Sequence, residues 1–422
     1  MNKKPLYIII FIILVIGFGA MIYFVFLADI IGPDDTNQNT NTTTNENING
    51  SLPLLNGVTN VNRVSVNSID NTNRLVNSVT RSNINTTISN TAQGGETVAN
   101  QITDTPILAA EQQIGGDGVR FYDISDGKFY YIDENGNRIE LSDQVFPQVE
   151  EIAWSPVNNE AIIIFPDQSK VYYDFDTQEQ VTLPREWDDI DFSPTGSQIG
   201  FKNVSSKENE RWLAVSNPDG SGVALVEPMG DKADSVAVNW SPTGQVVATF
   251  REGYSASGQE IFLIGLNDEN FKSIVTDGRG FEGIWSEDGK QMIYSVYSEN
   301  TRYNPSLYIV DSSGDQIGSN SMKLGLQTWS SKCTFSNNSP ALYCAVPGLM
   351  ETGTGIKPSL AGFTNDKIYK INTNTGVKEI LATPSFLNGG RDYVINSMFL
   401  SQDENSLYFT DATTNILYNI NL

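Results

Sequence analysis

Apolar and polar positions alternate in short runs from residue 106 to the C-terminus, and the runs fall into groups of four. In one group Val236-Ala237-Val238-Asn239-Trp240 alternates as a strand, and Pro242-Thr243-Gly244 then turns the chain. Proline presets a negative φ in such a turn and glycine supplies a positive one. Val246-Val247-Ala248-Thr249-Phe250 predicts the returning strand and Glu260-Ile261-Phe262-Leu263-Ile264 a third. The polar turn Asn267-Asp268-Glu269-Asn270 leads to an outer strand, Phe271-Lys272-Ser273-Ile274-Val275. Period-2 runs separated by turn residues predict antiparallel hairpins.

The unit repeats. Ala153-Trp154-Ser155-Pro156-Val157-Asn158 returns as Asp191-Phe192-Ser193-Pro194-Thr195-Gly196, Asn239-Trp240-Ser241-Pro242-Thr243-Gly244 and Ile284-Trp285-Ser286-Glu287-Asp288-Gly289. Degenerate copies surround Phe335 and Phe399, so the aromatic positions are spaced by 38, 48, 45, 50 and 64 residues. That period marks a β-propeller blade. A further unit lies between Gly118 and Leu141, with Ile107-Leu108-Ala109-Ala110 or a segment from elsewhere as its first strand. Residues 394–422 supply three strands and stop. The expected fold is therefore all-β: a propeller of seven four-stranded blades, with six or eight also compatible and the closing strand unspecified. The hexad Trp and Phe residues, once per blade at one strand position, read as core between blades rather than as a sugar platform.

The first quarter has a different pattern. Residues 6–27 form an uncharged run of 22 residues, preceded by Lys3 and Lys4 and followed by Asp29, Asp34 and Asp35. This run is long enough to cross a bilayer, and its positive flank predicts a cytoplasmic N-terminus. A cleaved signal peptide would have a shorter apolar region ending in a small-x-small site. Between residues 36 and 104, Asn and Thr make up 30 of 69 residues, and the apolar positions show no sustained period. Such a stretch buries too little to offset its ordering entropy and reads as a tether. The expected organisation is a signal-anchor over residues 1–31, a flexible linker over 32–105 and a propeller over 106–422. The chain is then a single-pass protein of the cell membrane with its propeller outside the cytoplasm.

Charge and composition exclude several chemistries. The formal charge is −24, and from Pro106 onward 21 basic residues face 43 acidic ones. Such a surface repels phosphate backbones, so no nucleic-acid partner is expected. The chain has no histidine. That removes Ser-His-Asp and Cys-His catalysis and imidazole metal ligation. No cofactor or metal site is expected: EF-hand spacing is missing, and strand alternation would split Asp188-Asp189-Ile190-Asp191 between two faces.

The Trp-Ser-Pro-x-Gly turn followed by a β-run resembles the WD40-like repeats of TolB-type propellers. Similar repeats build the propeller of prolyl-oligopeptidase-type enzymes. The resemblance covers about residues 106–422 and implies a fold rather than a function. The sequence departs from both groups. An apolar anchor stands where the TolB-type proteins carry a small α/β domain, and neither a histidine nor a serine nucleophile elbow is present. The Gly-His and Trp-Asp signatures of true WD40 repeats are also missing.

Loop lengths point to one face. First-to-second-strand turns are short throughout, which predicts a plain face. Second-to-third-strand connections are long in four consecutive units, at 203–210, 251–258, 297–305 and 346–366. Insertions on one face of a repeat array usually form its binding face. Candidate binding residues there are Arg251, Tyr254, Tyr297, Arg302, Tyr303, Lys357 and Phe363, joined by Arg279, Arg391 and Asp392 from inter-blade connections. Four glycines in the longest insert predict mobility. Cys333 and Cys344 mirror each other about the 338/339 turn, so they should face each other across a hairpin at Cα separations of roughly 4.5–5.5 Å and form a disulfide. These features predict a non-enzymatic, membrane-anchored scaffold that binds an envelope protein or peptide. A glycan-binding module and a carboxylate-based hydrolase or lyase are the alternatives. The last would need two carboxylates converging on the central channel.

Overall fold

A computed structural model describes residues 88–422, apart from 117, 256, 362–363 and 387–392. The anchor over 6–27 and most of the linker lie outside the described residues, as do Phe363, Arg391 and Asp392. Among the described residues no helix is long and apolar enough to cross a membrane.

The strands form seven sheets, each the blade of a propeller. The blades span residues 107–140, 151–183, 187–228, 236–276, 279–323, 333–385 and 395–421. In each, the first strand lies innermost and the following strands pair antiparallel outward. The hexads sit at the first hairpin of their blades, and their composition has a local cause. Gly196, Gly244 and Gly289 take φ of +66°, +71° and +66°. The hexad serine closes the turn: Ser193, Ser241, Ser286 and Ser401 each accept the backbone N–H five residues on.

The core is distributed. Seven apolar clusters occur, one at each junction between neighbouring blades, and each draws on both. The hexad tryptophans fill these junctions as expected and also bond across them. Trp154 Nε1 donates to Ala109 O at 2.8 Å, Trp240 Nε1 to Asp191 O at 3.3 Å and Trp285 Nε1 to Asn239 Oδ1 at 2.8 Å. Each indole thus ties its blade to the inner strand of the blade before. Blades 3, 6 and 7 carry Phe192, Phe335 and Leu400 at this position and lack the donor.

Ring closure uses residues that composition assigns to the linker. Asn100–Gln101 pairs antiparallel with Leu417–Asn421 and becomes the outer strand of blade 7. Just before it, Glu96–Val98 pairs parallel with Lys378–Ser385 and gives blade 6 a fifth strand. The folded region therefore begins well before Pro106. Ile107–Gln112 is the first strand of blade 1, settling the alternative left open by the sequence.

Cys333 and Cys344 are bridged, directly opposite each other, with Cα atoms 4.1 Å apart. Both are buried. Replacing both by alanine is expected to lower unfolding free energy by about 3 kcal/mol, the chain-entropy value for a loop of this size. Urea unfolding of the variant checks this, and an unchanged midpoint would contradict it.

Candidate functional site

Second-to-third-strand loops and inter-blade connections share one face, and on blades 5 and 6 the loops there are built into each other. Gln291–Tyr297 leads into a 3-10 turn, Glu299–Thr301, in which Ser298 and Thr301 form a reciprocal cap. Arg302 and Tyr303 both follow with φ of 56°, an uncommon conformation for side chains of this size. That backbone offers its carbonyls outward. Gly353 N donates to Arg302 O at 2.9 Å and Gly355 N to Tyr303 O at 2.8 Å. Between them Thr354, fully buried, donates from Oγ1 to Asn304 Oδ1 at 2.9 Å.

The 346–366 insert is therefore docked, contrary to the mobility its glycines predict. Gly355 serves close approach, since a Cβ there would lie 2.6 Å from Tyr297 Cβ and 2.7 Å from Tyr303 O, whereas Gly353 supplies a φ of +92°. The docked loop presents apolar side chains to solvent, with Leu349 69% and Ile356 60% exposed. Tyr303 is 40% exposed beside them, and Tyr254, at the tip of the blade 4 hairpin, is 67% exposed. Leu349 and Ile356 were not among the residues singled out from sequence, although large apolar residues in a Gly/Thr-rich insert were the available signal.

The remaining candidates divide. Tyr297 packs its ring over Gly280 and supports the insert from below. Lys357 lies exposed in the insert, its N–H donating to Gly353 O. Arg251 and Arg279 are used structurally: Arg251 Nη2 donates to Asp234 O and Arg279 Nη2 to Ser255 O, each at 2.9 Å. The 251–258 connection is also shorter than expected, because the strands Val246–Gly253 and Gln259–Gly265 continue nearly to its tip.

The axial channel holds a feature that strand alternation conceals. Three of the inner-strand bulges have one residue at positive φ: Ala109 (52°), Asp189 (53°) and Gly280 (68°). Two residues beyond each comes a carboxylate, Glu111, Asp191 or Glu282. The expected splitting of Asp188–Asp191 between faces fails because the bulge at Asp189 breaks the alternation. Burial raises the carboxyl pKa of Glu111, although it is paired with Arg120. Burial also raises Glu282, with Arg251 opposing, and Glu151, with Asp189, Asp188 and Glu150 adding to the rise. Asp191 is pushed up to about 7 by enclosure, reinforced by Glu111, Asp189 and Glu151 and opposed by the N–H of Phe192. Yet Asp191 remains open to solvent, as befits a group lining a channel enclosed by protein. Cations near this mouth are partly engaged with carbonyls: Lys170 Nζ donates to Gln168 O and Arg185 O, and Lys202 Nζ to Val236 O. Among the described residues no group of three or more His, Cys, Asp or Glu is placed to hold a metal.

The first-to-second-strand face is short-looped, as expected, but not featureless. A cavity of about 550 Å³ opens there between blades 5 and 6, flanked by Ser286, Lys290, Phe335, Asn337 and Asn374.

No family model matches the chain, and no curated protein matches it. Solved structures do. The β-propeller domain of Cps50 (Swd1) from Myceliophteria thermophila is similar at 11% identity and a TM-score of 0.52, over 77% of this chain and all of that one. An oligogalacturonate lyase in complex with manganese is similar at 13% identity and a TM-score of 0.51, over 76% of this chain and 92% of that one. Likeness at such identity establishes the propeller and nothing of its activity.

Proposed function

We propose that this protein is an extracytoplasmic, membrane-tethered scaffold that binds a polypeptide on the face formed by the second-to-third-strand loops of blades 4 to 6. One observation carries the reading: an insert fixed to its neighbouring blade exposes Leu349 and Ile356 beside Tyr303. Apolar side chains held outward on ordered backbone lose little entropy on binding and are the usual anchors of an interface. The tether and its orientation rest on the apolar run over 6–27 and on Lys3 and Lys4. The Cys333–Cys344 bridge agrees with an oxidising compartment.

A photo-crosslinking residue at Ile356 of the full chain in its native membrane is expected to give one discrete protein adduct, and one at Val157 on the opposite face none. Gly355→Ala, which forces the insert off Tyr297 and Tyr303, should reduce the Ile356 adduct about tenfold, as loss of an anchor would. Equal labelling from both faces, or a Gly355→Ala variant that crosslinks normally, would sink the proposal.

The channel carboxylates favour a second reading, carboxylate-based hydrolysis or elimination. A carboxyl group titrating near neutrality beside other carboxyl groups is suited to general acid–base work. The same arrangement has a stability consequence. Because the folded-state pKa of Asp191 is raised to about 7, folding takes up a proton between the unfolded value of about 4 and that point. This stabilising contribution is full below the unfolded value and is lost as pH rises through about 7. Asp191→Asn should therefore raise the thermal midpoint more at about pH 8 than at about pH 5. Equal shifts at both would show that the Asp191 carboxyl is not raised on folding and remove the support for this reading.

A further inference from the structure

We propose that the cleft between blades 5 and 6, on the face opposite the docked insert, binds a neutral oligosaccharide. Its position follows from the repeat. At three junctions the hexad tryptophan donates across to the preceding blade. Blade 6 instead has Phe335, smaller and without a donor, and half-buried where the cavity opens. The other two positions without a tryptophan are filled. Trp187 stacks on Phe201 at 3.7 Å beside Phe192, and Leu400 is buried in the cluster joining blades 6 and 7. At the blade 5–6 junction no aromatic stack is formed by Phe335 among the described residues, and the space remains open as a cavity of about 550 Å³.

The walls suit hydroxyl groups. The side-chain amides of Gln291, Asn337, Asn338 and Asn374 border the cleft, and no hydrogen bond from them occurs among the described residues. An amide offers paired donor and acceptor sites, which is what vicinal hydroxyls need. Phe335 and Pro340 supply apolar surface for the C–H face of a ring. The wall bearing the amides is held in place from the next blade. Glu404 accepts from Asn337 N at 2.6 Å, from Asn338 N at 3.1 Å and from Ser336 Oγ at 2.7 Å. Such preorganisation limits the ordering cost on binding.

Charge decides the class of sugar. Glu287, Asp288 and Asp311 border the cleft, and its one cation, Lys290, is paired with Asp288 at 2.9 Å. The cleft is therefore net negative and repels uronates and phosphates, while neutral hydroxyls find acceptors. A second cavity of about 310 Å³ shares Ser339, Pro340 and Ala341 with the first and extends the groove across blade 6, where Lys370, Lys378 and Glu379 line it; the negative charge is that of the first cavity. The extension fits an oligomer better than a single sugar.

Full-length protein in lipid nanodiscs, titrated calorimetrically with cellohexaose, mannohexaose, chitohexaose and hexagalacturonate, tests this. At least one neutral hexamer should bind, and hexagalacturonate should not. Asn337→Ala and Asn374→Ala, both at exposed positions, should each weaken binding about tenfold, the scale of one or two lost hydrogen bonds. Phe335→Trp should fill the cleft and abolish binding with the circular dichroism spectrum unchanged. Gly355→Ala, on the other face, should leave sugar binding intact, so failure of the scaffold proposal and failure of this one are separable. Absence of binding to all three neutral hexamers overturns the proposal. So does binding of hexagalacturonate as tight as that of a neutral hexamer, or undiminished binding by both asparagine variants.

Discussion

Deletion of residues 89–101 from the full chain is expected to lower the urea midpoint sharply and to broaden the transition. This segment clasps two blades at once. Ala92 N donates to Asn421 O, Gly94 N to Leu381 O and Ala99 N to Ser385 O, at 2.8 to 2.9 Å. Val98 and Ala99 are buried, and Ala99 belongs to the cluster joining blades 6 and 7. Losing Val98 alone removes about 2 kcal/mol of apolar burial. Ordering entropy regained by the chain offsets part of the ladder's contribution. The larger consequence is topological, because without Asn100–Gln101 the edge of Leu417–Asn421 is unpaired and blades 6 and 7 can open ahead of the others. A loss of about 3 kcal/mol or more is expected, with a shallower slope from the early opening. A deletion variant with unchanged midpoint and slope would show that the ring closes without the clasp. Val98→Asp, which keeps the backbone ladder and spoils only the burial, should fall between the two.

The clasp also shows where sequence reading reaches its limit. Blades were legible because Trp-Ser-Pro-x-Gly has local causes: a left-handed glycine, a serine that closes the hairpin and an indole that fills a junction. Each cause acts within a few residues and recurs, so the pattern survives around Phe335 and Ser401 despite degeneracy. Glu96-Thr97-Val98-Ala99-Asn100-Gln101 has no such grammar. Its strands exist because blades 6 and 7 present unpaired edges from the far end of the chain, and composition alone placed it with the Asn/Thr-rich linker.

The candidate site meets a related limit. The long-looped face was legible from loop length, and three of the four long connections are long in the structure. The state of the insert was not. Gly355 signals either freedom or close approach, and only its fit against Tyr297 and Tyr303 decides between them. The channel carboxylates were hidden because Ala109 and Asp189 adopt positive φ without being glycine, which shifts Glu111 and Asp191 out of simple alternation. By contrast, the cleft between blades 5 and 6 has a visible sign in the sequence, the phenylalanine standing in the tryptophan position of the blade 6 hexad.

Lys332→Met is expected to destabilise the propeller by about 3–5 kcal/mol, the cost of removing one member of a buried ion pair. Lys332 Nζ lies 2.6 Å from Asp366 Oδ2, with both residues buried where blade 6 meets blade 7. Asp366 Oδ2 also accepts from Ile395 N at 2.7 Å, and Oδ1 has no hydrogen-bond partner. The carboxylate therefore depends heavily on its lysine. Burial already holds the Asp366 carboxyl above its usual range, with Asp411 adding to the rise and Lys332 the largest opposing influence. Removing that influence raises it further. A carboxyl whose folded-state pKa is raised binds its proton more tightly folded than unfolded, so protonation stabilises the variant and this benefit is lost as pH climbs through the folded value. The deficit of Lys332→Met should accordingly be smaller at about pH 5 than at about pH 8. Lys332→Met combined with Asp366→Leu should recover most of the loss, because replacing the whole pair leaves no buried charge. Urea midpoints of the single and double variants at both pH values decide the matter. If the double variant is no more stable than the single one, packing around Lys332 rather than the stranded carboxylate sets the cost.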